Sequence, residues 1–91
     1  MGAEVVVETT PNENALKYTV VGKQVIESGH KTYGSAEEAR ESPVAKALFE
    51  IDGVASVFLM ADFITVTKRP EAAWDGIQDQ ARTIISEAYG G

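Results

Sequence analysis

Hydrophobic and polar positions along the first third of the chain predict three short strands. Residues 4–9 contain the β-branched run Val5-Val6-Val7, which favours a strand. Residues 15–21 alternate apolar and polar side chains, as a half-buried strand does. Gly22-Lys23 is typical of a two-residue hairpin turn, and it would lead into a weaker strand at residues 24–27.

The middle of the chain predicts helical structure. Residues 28–32 are polar and indicate a turn, and Ser35 followed three residues later by Glu38 forms a capping-box pattern that predicts a short helix. Ser42 is suited to cap a further helix, because Pro43 then occupies its first position, where proline is tolerated. An apolar stripe at helical spacing follows, and Gly53 stands where a helix commonly ends in a left-handed residue.

The last part of the chain predicts a strand pair and a long helix. Residues 54–60 and 63–68 alternate in strand fashion on either side of the short connection Ala61-Asp62. Both faces of this pair are partly apolar, which indicates a central position with one face under helices. Pro70 ends the second strand, and an amphipathic pattern predicts a helix over residues 71–88.

These elements predict an α+β fold in the order β-β-β-α-β-β-α. The connections of hairpin length favour a small, largely antiparallel sheet, and two main helices are expected to pack on one of its faces. A chain of 91 residues can bury one core, so we expect a single domain over residues 1–91.

Composition and charge exclude several functional classes. The chain carries 14 acidic and 8 basic side chains, a net charge of −6, which does not suit a nucleic-acid binder. The longest nearly uncharged stretch, residues 53–61, is far shorter than the ~20 residues of a membrane span. Glu4 stands where a signal peptide would carry basic residues, so a cytoplasmic location is expected.

Candidate catalytic and metal-binding residues are few. The sequence has no cysteine, and its one histidine, His30, lies in a polar segment without an evident nucleophile beside it. The acidic residues Glu37, Glu38 and Glu41 are more typical of a solvated helix face than of metal ligands. We therefore expect no enzyme, no metal site and no cofactor. Weak binding of iron or of a small ligand by carboxylates and His30 remains the alternative.

Two further features have both a structural and a functional interpretation. Residues 10–17 contain a proline, two asparagines and a lysine, which could present donors and acceptors to a partner. The alternative is a plain turn held by bonds from asparagine to the backbone. Trp74 and the phenylalanines could form a binding surface, although their spacing favours a place in the core.

Three stretches of the chain together resemble the N-terminal domain of the Nfu/NifU-type iron–sulfur scaffold proteins. Residues 10–18, TPNENALKY, are similar to that family's T-P-N-P-N-[AS]-L-K-F. Residues 42–54, SPVAKALFEIDGV, are similar to its S-P-L-A-x-x-L-F-x-I-x-G-V. The third stretch runs from Val57-Phe58 to DFITVTK at residues 62–68, with Trp74 following at the family's distance. Glu13 departs from the pattern, since the family usually has a second proline there.

The resemblance implies an α+β domain with a recognition role in iron–sulfur cluster assembly. The family's cluster sits on a Cys-x-x-Cys motif in a separate C-terminal domain, and a chain without cysteine would be a stand-alone N-terminal domain. The expected partners are cluster-assembly proteins or their clients. The residues that we expect to contact them are Thr10, Pro11, Asn12, Asn14, Lys17, Asp62, Phe63 and Lys68.

Overall fold

The computed structural model describes residues 2–26 and 28–90 and places five strands and two α-helices there. Two 3-10 turns, at Glu38–Glu41 and Trp74–Gly76, precede the helices. The strands are β1 (Val5–Thr9), β2 (Ala15–Val20), β3 (His30–Tyr33), β4 (Val54–Met60) and β5 (Phe63–Lys68), and the helices are α1 (Pro43–Phe49) and α2 (Gln78–Tyr89).

The five strands form one antiparallel sheet in the order β1-β2-β5-β4-β3, and both helices pack on the same face. This confirms the predicted α+β fold and the central position of the 54–60 and 63–68 pair. The core lies between the sheet and the helices, because alternate strand residues point toward them. Its fully buried large side chains are Tyr18, Val20, Leu48, Val57, Ile64, Val66 and Ile85.

The prediction of a third strand at residues 24–27 is wrong. Residues 24–26 form no strand, residue 27 lies outside the described residues, and the third strand is instead β3, which the sequence indicated as a turn. β3 is an edge strand that pairs only with β4, and three of its four residues are exposed, so it has no apolar alternation. Gly22-Lys23 does not join hairpin neighbours either, because β2 pairs with β1 and β5.

The second helix begins later than predicted. The pattern indicated a helix from residue 71, whereas α2 begins at Gln78 after the 3-10 turn at Trp74–Gly76. The indole N–H of Trp74 donates to the carbonyl of Glu13, 3.1 Å away, which holds this segment against the β1–β2 loop. Gly76 lowers the helix propensity of the same turn.

The predicted cap of α1 is confirmed, whereas the capping box at Ser35 forms only in part, because the 3-10 turn begins at Glu38 with Glu37 as its N-cap. The amide of Glu38 donates to the Ser35 hydroxyl over 3.2 Å, while the Glu38 carboxylate accepts from the amide of Gly34 over 2.8 Å. Ser42 caps α1 by accepting from the amide of Ala45, and Pro43 is the first helical residue. These bonds satisfy backbone donors that the first turn of a helix leaves unpaired.

Tyr18 connects the sheet to α2 at the centre of the core. Its side chain is fully buried, and its hydroxyl donates to the carbonyl of Gln78, 3.4 Å away. Burial, with a smaller contribution from the charge of Asp79, raises the pKa of Tyr18 to about 12. The phenol is therefore neutral throughout the physiological range.

Gly53 packs where no side chain fits, and we expect Gly53→Ala to lower the free energy of unfolding by roughly 2–4 kcal/mol. Its φ is +103°, and an added Cβ would lie 2.9 Å from the Cβ of Ala72 and 3.0 Å from Cδ1 of Ile77. Denaturant unfolding of the two proteins measures the loss.

The matched control is Gly76→Ala. An added Cβ there meets no atom within 4 Å, and the backbone angle is not one that disfavours side chains. We expect this variant to be as stable as the parent or slightly more stable. Equal stability of Gly53→Ala and Gly76→Ala would contradict the close packing at Gly53.

Candidate functional site

The face of the sheet opposite the helices carries a diagonal row of rings and one ammonium group. The rings of His30 and Phe58 have their centroids 5.5 Å apart, and those of Phe58 and Phe63 lie 6.2 Å apart. The Nζ atom of Lys17 lies 4.5 Å from the centroid of the Phe63 ring, within the range of a cation–π interaction. We call His30, Phe58, Phe63 and Lys17 the aromatic row.

Strand register explains why these side chains meet. Residues that pair directly across neighbouring strands point to the same face. Met60 pairs with both His30 and Phe63, while Phe58 and Lys17 both pair with Thr65. The aromatic row thus crosses four strands, from β3 to β2.

Large apolar groups around the row remain accessible to solvent. Met60 is 43% exposed and Val6 is 41% exposed, and both lie on the same face as the aromatic row. Phe58 and Phe63 are half-buried, mainly against each other and their strand neighbours. Clustered apolar groups on an exposed surface are characteristic of interaction sites.

The strands are much less acidic than the rest of the chain. Although the protein has a net charge of −6, Glu8 is the one acidic residue within the described strands. Lys17 lies opposite Glu8 in the β1–β2 register. The open face is therefore close to neutral, while the other described acidic residues lie in the helices, turns and loops.

The structure brings only two of the predicted contact residues together on the open face. Lys17 and Phe63 both belong to the aromatic row. Asp62 lies in the turn between β4 and β5, and Lys68 lies at the other end of β5 with its side chain on the covered face. The remaining predicted residues are in the loop between β1 and β2, beside Lys68, and they are Thr10, Pro11, Asn12 and Asn14.

Hydrogen bonds within the β1–β2 loop engage its polar groups. The hydroxyl of Thr10 lies 2.9 Å from the carbonyl oxygen of Asn12 and 3.1 Å from that of Ala15. The amide of Asn12 donates back to this hydroxyl, and the side-chain oxygen of Asn12 accepts from the amide of Asn14 over 2.9 Å. These are the bonds of a plain turn, in which threonine and asparagine side chains replace backbone partners.

Lys68, the last residue of β5, anchors this loop to the sheet. Its side chain is only 8% exposed, and its Nζ atom donates to Oδ1 of Asn14 over 2.9 Å and to the carbonyl of Arg69 over 3.4 Å. The ring of Trp74 lies 6.0 Å from the ammonium group. No described carboxylate forms an ion pair with Lys68, so these neutral acceptors and the ring stabilise its charge.

Of the acidic candidates, Glu38 and Glu41 have structural partners. Glu41 accepts from the Tyr33 hydroxyl over 2.9 Å and forms an exposed ion pair with Lys31 over 3.6 Å. Within residues 2–26 and 28–90, no group of three histidine or acidic side chains is arranged to hold a metal ion. Neither of the described helices has the length and apolar character of a membrane span.

Sequence reasoning missed part of the aromatic row. The strand pattern places Phe58 and Met60 opposite Val57. Spacing favoured a core position for the phenylalanines, although Phe63 is also one of the predicted contact residues, and His30 is predicted in a turn. Phe58 and Phe63 instead lie outside the core, on the open face. The alternation in β4 and β5 was the available indication that these rings are not in the core. Two short helices cannot cover both faces of a sheet, so the residues on one face must remain open to solvent.

The fold and this surface define a two-layer α+β domain whose candidate site is an open sheet face. Residues 5–90 match the family model described as the scaffold protein Nfu/NifU N-terminal domain. The chain belongs to this family.

Curated relatives and a solved structure agree with that assignment. NifU-like protein 5, mitochondrial, from Arabidopsis thaliana is 38% identical over 82 residues, which cover 90% of this chain and 30% of that protein. The human NFU1 iron-sulfur cluster scaffold homolog, mitochondrial, is 47% identical over 64 residues, 70% of this chain and 25% of that protein. The solution structure of a NifU-like protein from Saccharomyces cerevisiae superimposes with a TM-score of 0.84 at 27% identity, covering 98% of this chain and 82% of that one.

These relatives correct one prediction. The expectation of a cytoplasmic location is contradicted, because the plant and human relatives are named mitochondrial proteins. The expectation rested on the first residues of the chain. The chain spans only about 30% of the length of the curated relatives it matches, so its first residues do not report where such a protein is delivered.

We expect Lys68→Met to destabilise the domain by about 1–3 kcal/mol, because a charged hydrogen bond is lost and Oδ1 of Asn14 loses its donor. Trp74 is the only tryptophan, so its fluorescence reports on the same loop contact during denaturant unfolding. Lys46→Met, on the exposed side of α1, is the matched control and should change stability by less than about 0.5 kcal/mol. The anchoring role is wrong if both variants unfold at the same denaturant concentration.

Proposed function

We propose that this domain is a non-enzymatic interaction module of iron–sulfur cluster assembly and that it binds partners through the aromatic row. The observation that carries the proposal is the cluster of Phe58, Phe63 and Lys17 on the uncovered face of a rigid sheet. Membership of the Nfu/NifU N-terminal family supports the process, since the human relative is named as an iron–sulfur cluster scaffold homolog.

Physical considerations favour the aromatic row as the contact surface. Aromatic side chains bury much apolar area at a low cost in conformational entropy, and they dominate the binding energy of many interfaces. The ladder bonds of β2, β4 and β5 fix the backbone that carries these side chains, so little further ordering of the backbone is needed on binding. The ammonium of Lys17 adds a directed group that a partner carboxylate or carbonyl can accept.

The chemistry of the chain limits its part in cluster handling. The 91 residues contain no cysteine, so any thiolate ligands to a cluster would come from outside them. Binding of assembly proteins or client apo-proteins is then the contribution of this domain. Because its relatives are named mitochondrial, the mitochondrial assembly proteins are the partners to test first.

Capture experiments with immobilised domain test the proposal. We expect the parent chain to retain iron–sulfur assembly proteins or their clients from a mitochondrial extract. The double variant Phe58→Thr/Phe63→Thr should retain at least tenfold less, because it removes the two rings. Threonine favours strands, so the sheet should persist. Quantitative mass spectrometry of the captured proteins measures the difference.

Val21→Thr is the matched control, because Val21 is 47% exposed and lies outside the aromatic row. It should capture the same proteins as the parent. Recovery of no assembly protein or iron–sulfur client by the parent would refute the assigned process. Equal capture by the double variant would refute the assigned surface.

A further inference from the structure

The outer edge of β1 presents unpaired backbone groups. The amide of Val21 donates to the carbonyl of Glu4 over 3.0 Å, which makes these two residues a hydrogen-bonded pair of the β1–β2 ladder. Hydrogen-bonded pairs alternate with non-hydrogen-bonded pairs along an antiparallel ladder. Val6 and Glu8 therefore bond β2, whereas the N–H and C=O groups of Val5 and Val7 point outward. Among the described residues, none forms a hydrogen bond to these outward groups.

β1 carries few of the devices that usually protect an edge, and Glu8 is its one charged side chain. Edge strands are commonly short, bulged, or interrupted by lysine or proline. β1 has five residues in continuous register, with three consecutive valines and neither lysine nor proline. By contrast, the opposite edge strand β3 has four residues, and its Lys31 is held by Glu41.

Contacts with α2 leave this edge open. The amide of Ala3 donates to the carbonyl of Ser86 over 2.9 Å, and the Ser86 hydroxyl donates to the carbonyl of Ala3 over 2.7 Å. These bonds fasten the segment before β1 to the helix on the covered face. They do not involve the backbone groups of Val5 or Val7. Val5 is nonetheless only 4% exposed, so the accessible part of the edge runs from Val6 to Thr9.

We propose that β1 is a strand-addition site for β1 of a second copy of this chain. The two strands pair antiparallel about Val7, and the two sheets join into one. A two-fold axis through this pair keeps both uncovered faces on the same side. The joined sheet then displays two aromatic rows on one surface.

Charge selects the register of this pairing. With Val7 opposite its own copy, Val5 faces Thr9 and Val6 faces Glu8, so no like charges are directly opposed. Sliding one strand by two residues in one direction brings Glu8 opposite Glu4, and sliding it in the other brings Glu8 opposite Glu8. Like charges in directly opposed positions are destabilising. β1 is therefore complementary to itself in one register.

The contact is small, so association is weak and reversible. A five-residue strand pair buries much less than the ~1,200 Å² at the lower end of stable complexes. Each copy also carries a net charge of −6, so the copies repel one another at long range. Added salt screens this repulsion, and we expect it to strengthen the dimer.

NMR spectra of the full chain recorded from micromolar to millimolar concentration test the inference. The amide of Val7 should shift and become protected from hydrogen exchange as concentration rises. The amides of Val6 and Glu8, which already bond β2, should change much less. Spectra independent of concentration overturn the proposal, as do changes centred on β3 or on the aromatic row.

Substitution at Val6 tests the register. In the dimer, Val6 of each copy faces Glu8 of the other copy, so two equivalent pairs form. Val6→Glu should weaken the dimer by about 2- to 30-fold, the range of two cross-strand charge pairs. Val6→Lys should strengthen it by at least about 2-fold.

Ala36→Glu and Ala36→Lys make the same charge changes at an exposed site away from β1. They should change the dissociation constant less than the Val6 variants do. Equal effects at the two positions, or opposite signs at Val6, overturn the register about Val7. The readout is self-association, so it is independent of whether assembly proteins are captured.

Discussion

Two short helices lie against a five-stranded sheet, and they cover only one of its faces. Because of this one-sided cover, one face of the sheet is buried and the other is open to solvent. Tyr18, Ile64 and Val66 turn toward α1 and α2 and form the core, while their neighbours in sequence must face outward. A sheet with one solvated face normally carries polar groups there. The presence of Phe58 and Phe63 on that face is the departure that the proposed function explains.

The end of the sheet near Lys68 depends on a different interaction. Lys68 lies under the β1–β2 loop, where Asn14 and the Trp74 ring surround its ammonium group. Trp74 in turn bonds the carbonyl of Glu13. The stretch at residues 10–14, which carries much of the family resemblance, thus has an architectural role, because Asn14 joins the β1–β2 loop to β5 and Glu13 joins it to Trp74 before α2. The side chain of Asn12, by contrast, bonds within the loop.

The sequence predicts well those elements whose pattern is local. β4 and β5 have their predicted bounds, because both alternate clearly on either side of a two-residue turn. β3 could not be found in this way, because it is an exposed edge strand without apolar alternation. It pairs only with β4, and β5 and β4 separate it in the sheet from β2, the strand that precedes it in sequence. The start of α2 is set by the Trp74–Glu13 hydrogen bond, which joins residues 61 positions apart.

The candidate site shows the same limit. Lys17 and Phe63 were predicted as contact residues from the sequence and do meet in the aromatic row. Lys68 was predicted with them, yet it points to the opposite face, since its position in β5 has the parity of Ile64 and Val66. His30 needed the pairing of β3 with β4 to be placed beside Phe58. The residue types thus indicated the chemistry of the site, whereas strand pairing determined where each side chain lies.

The proposed function depends on partners binding the uncovered face of the sheet. Backbone and methyl NMR shifts of the labelled domain, recorded while a captured iron–sulfur assembly protein or client is added, test this binding. We expect the largest changes on Lys17, Phe58, Met60 and Phe63, with the resonances of Leu48 and Ile85 unchanged. Changes centred on the exposed sides of α1 and α2, or on the loop at residues 10–14, would contradict it.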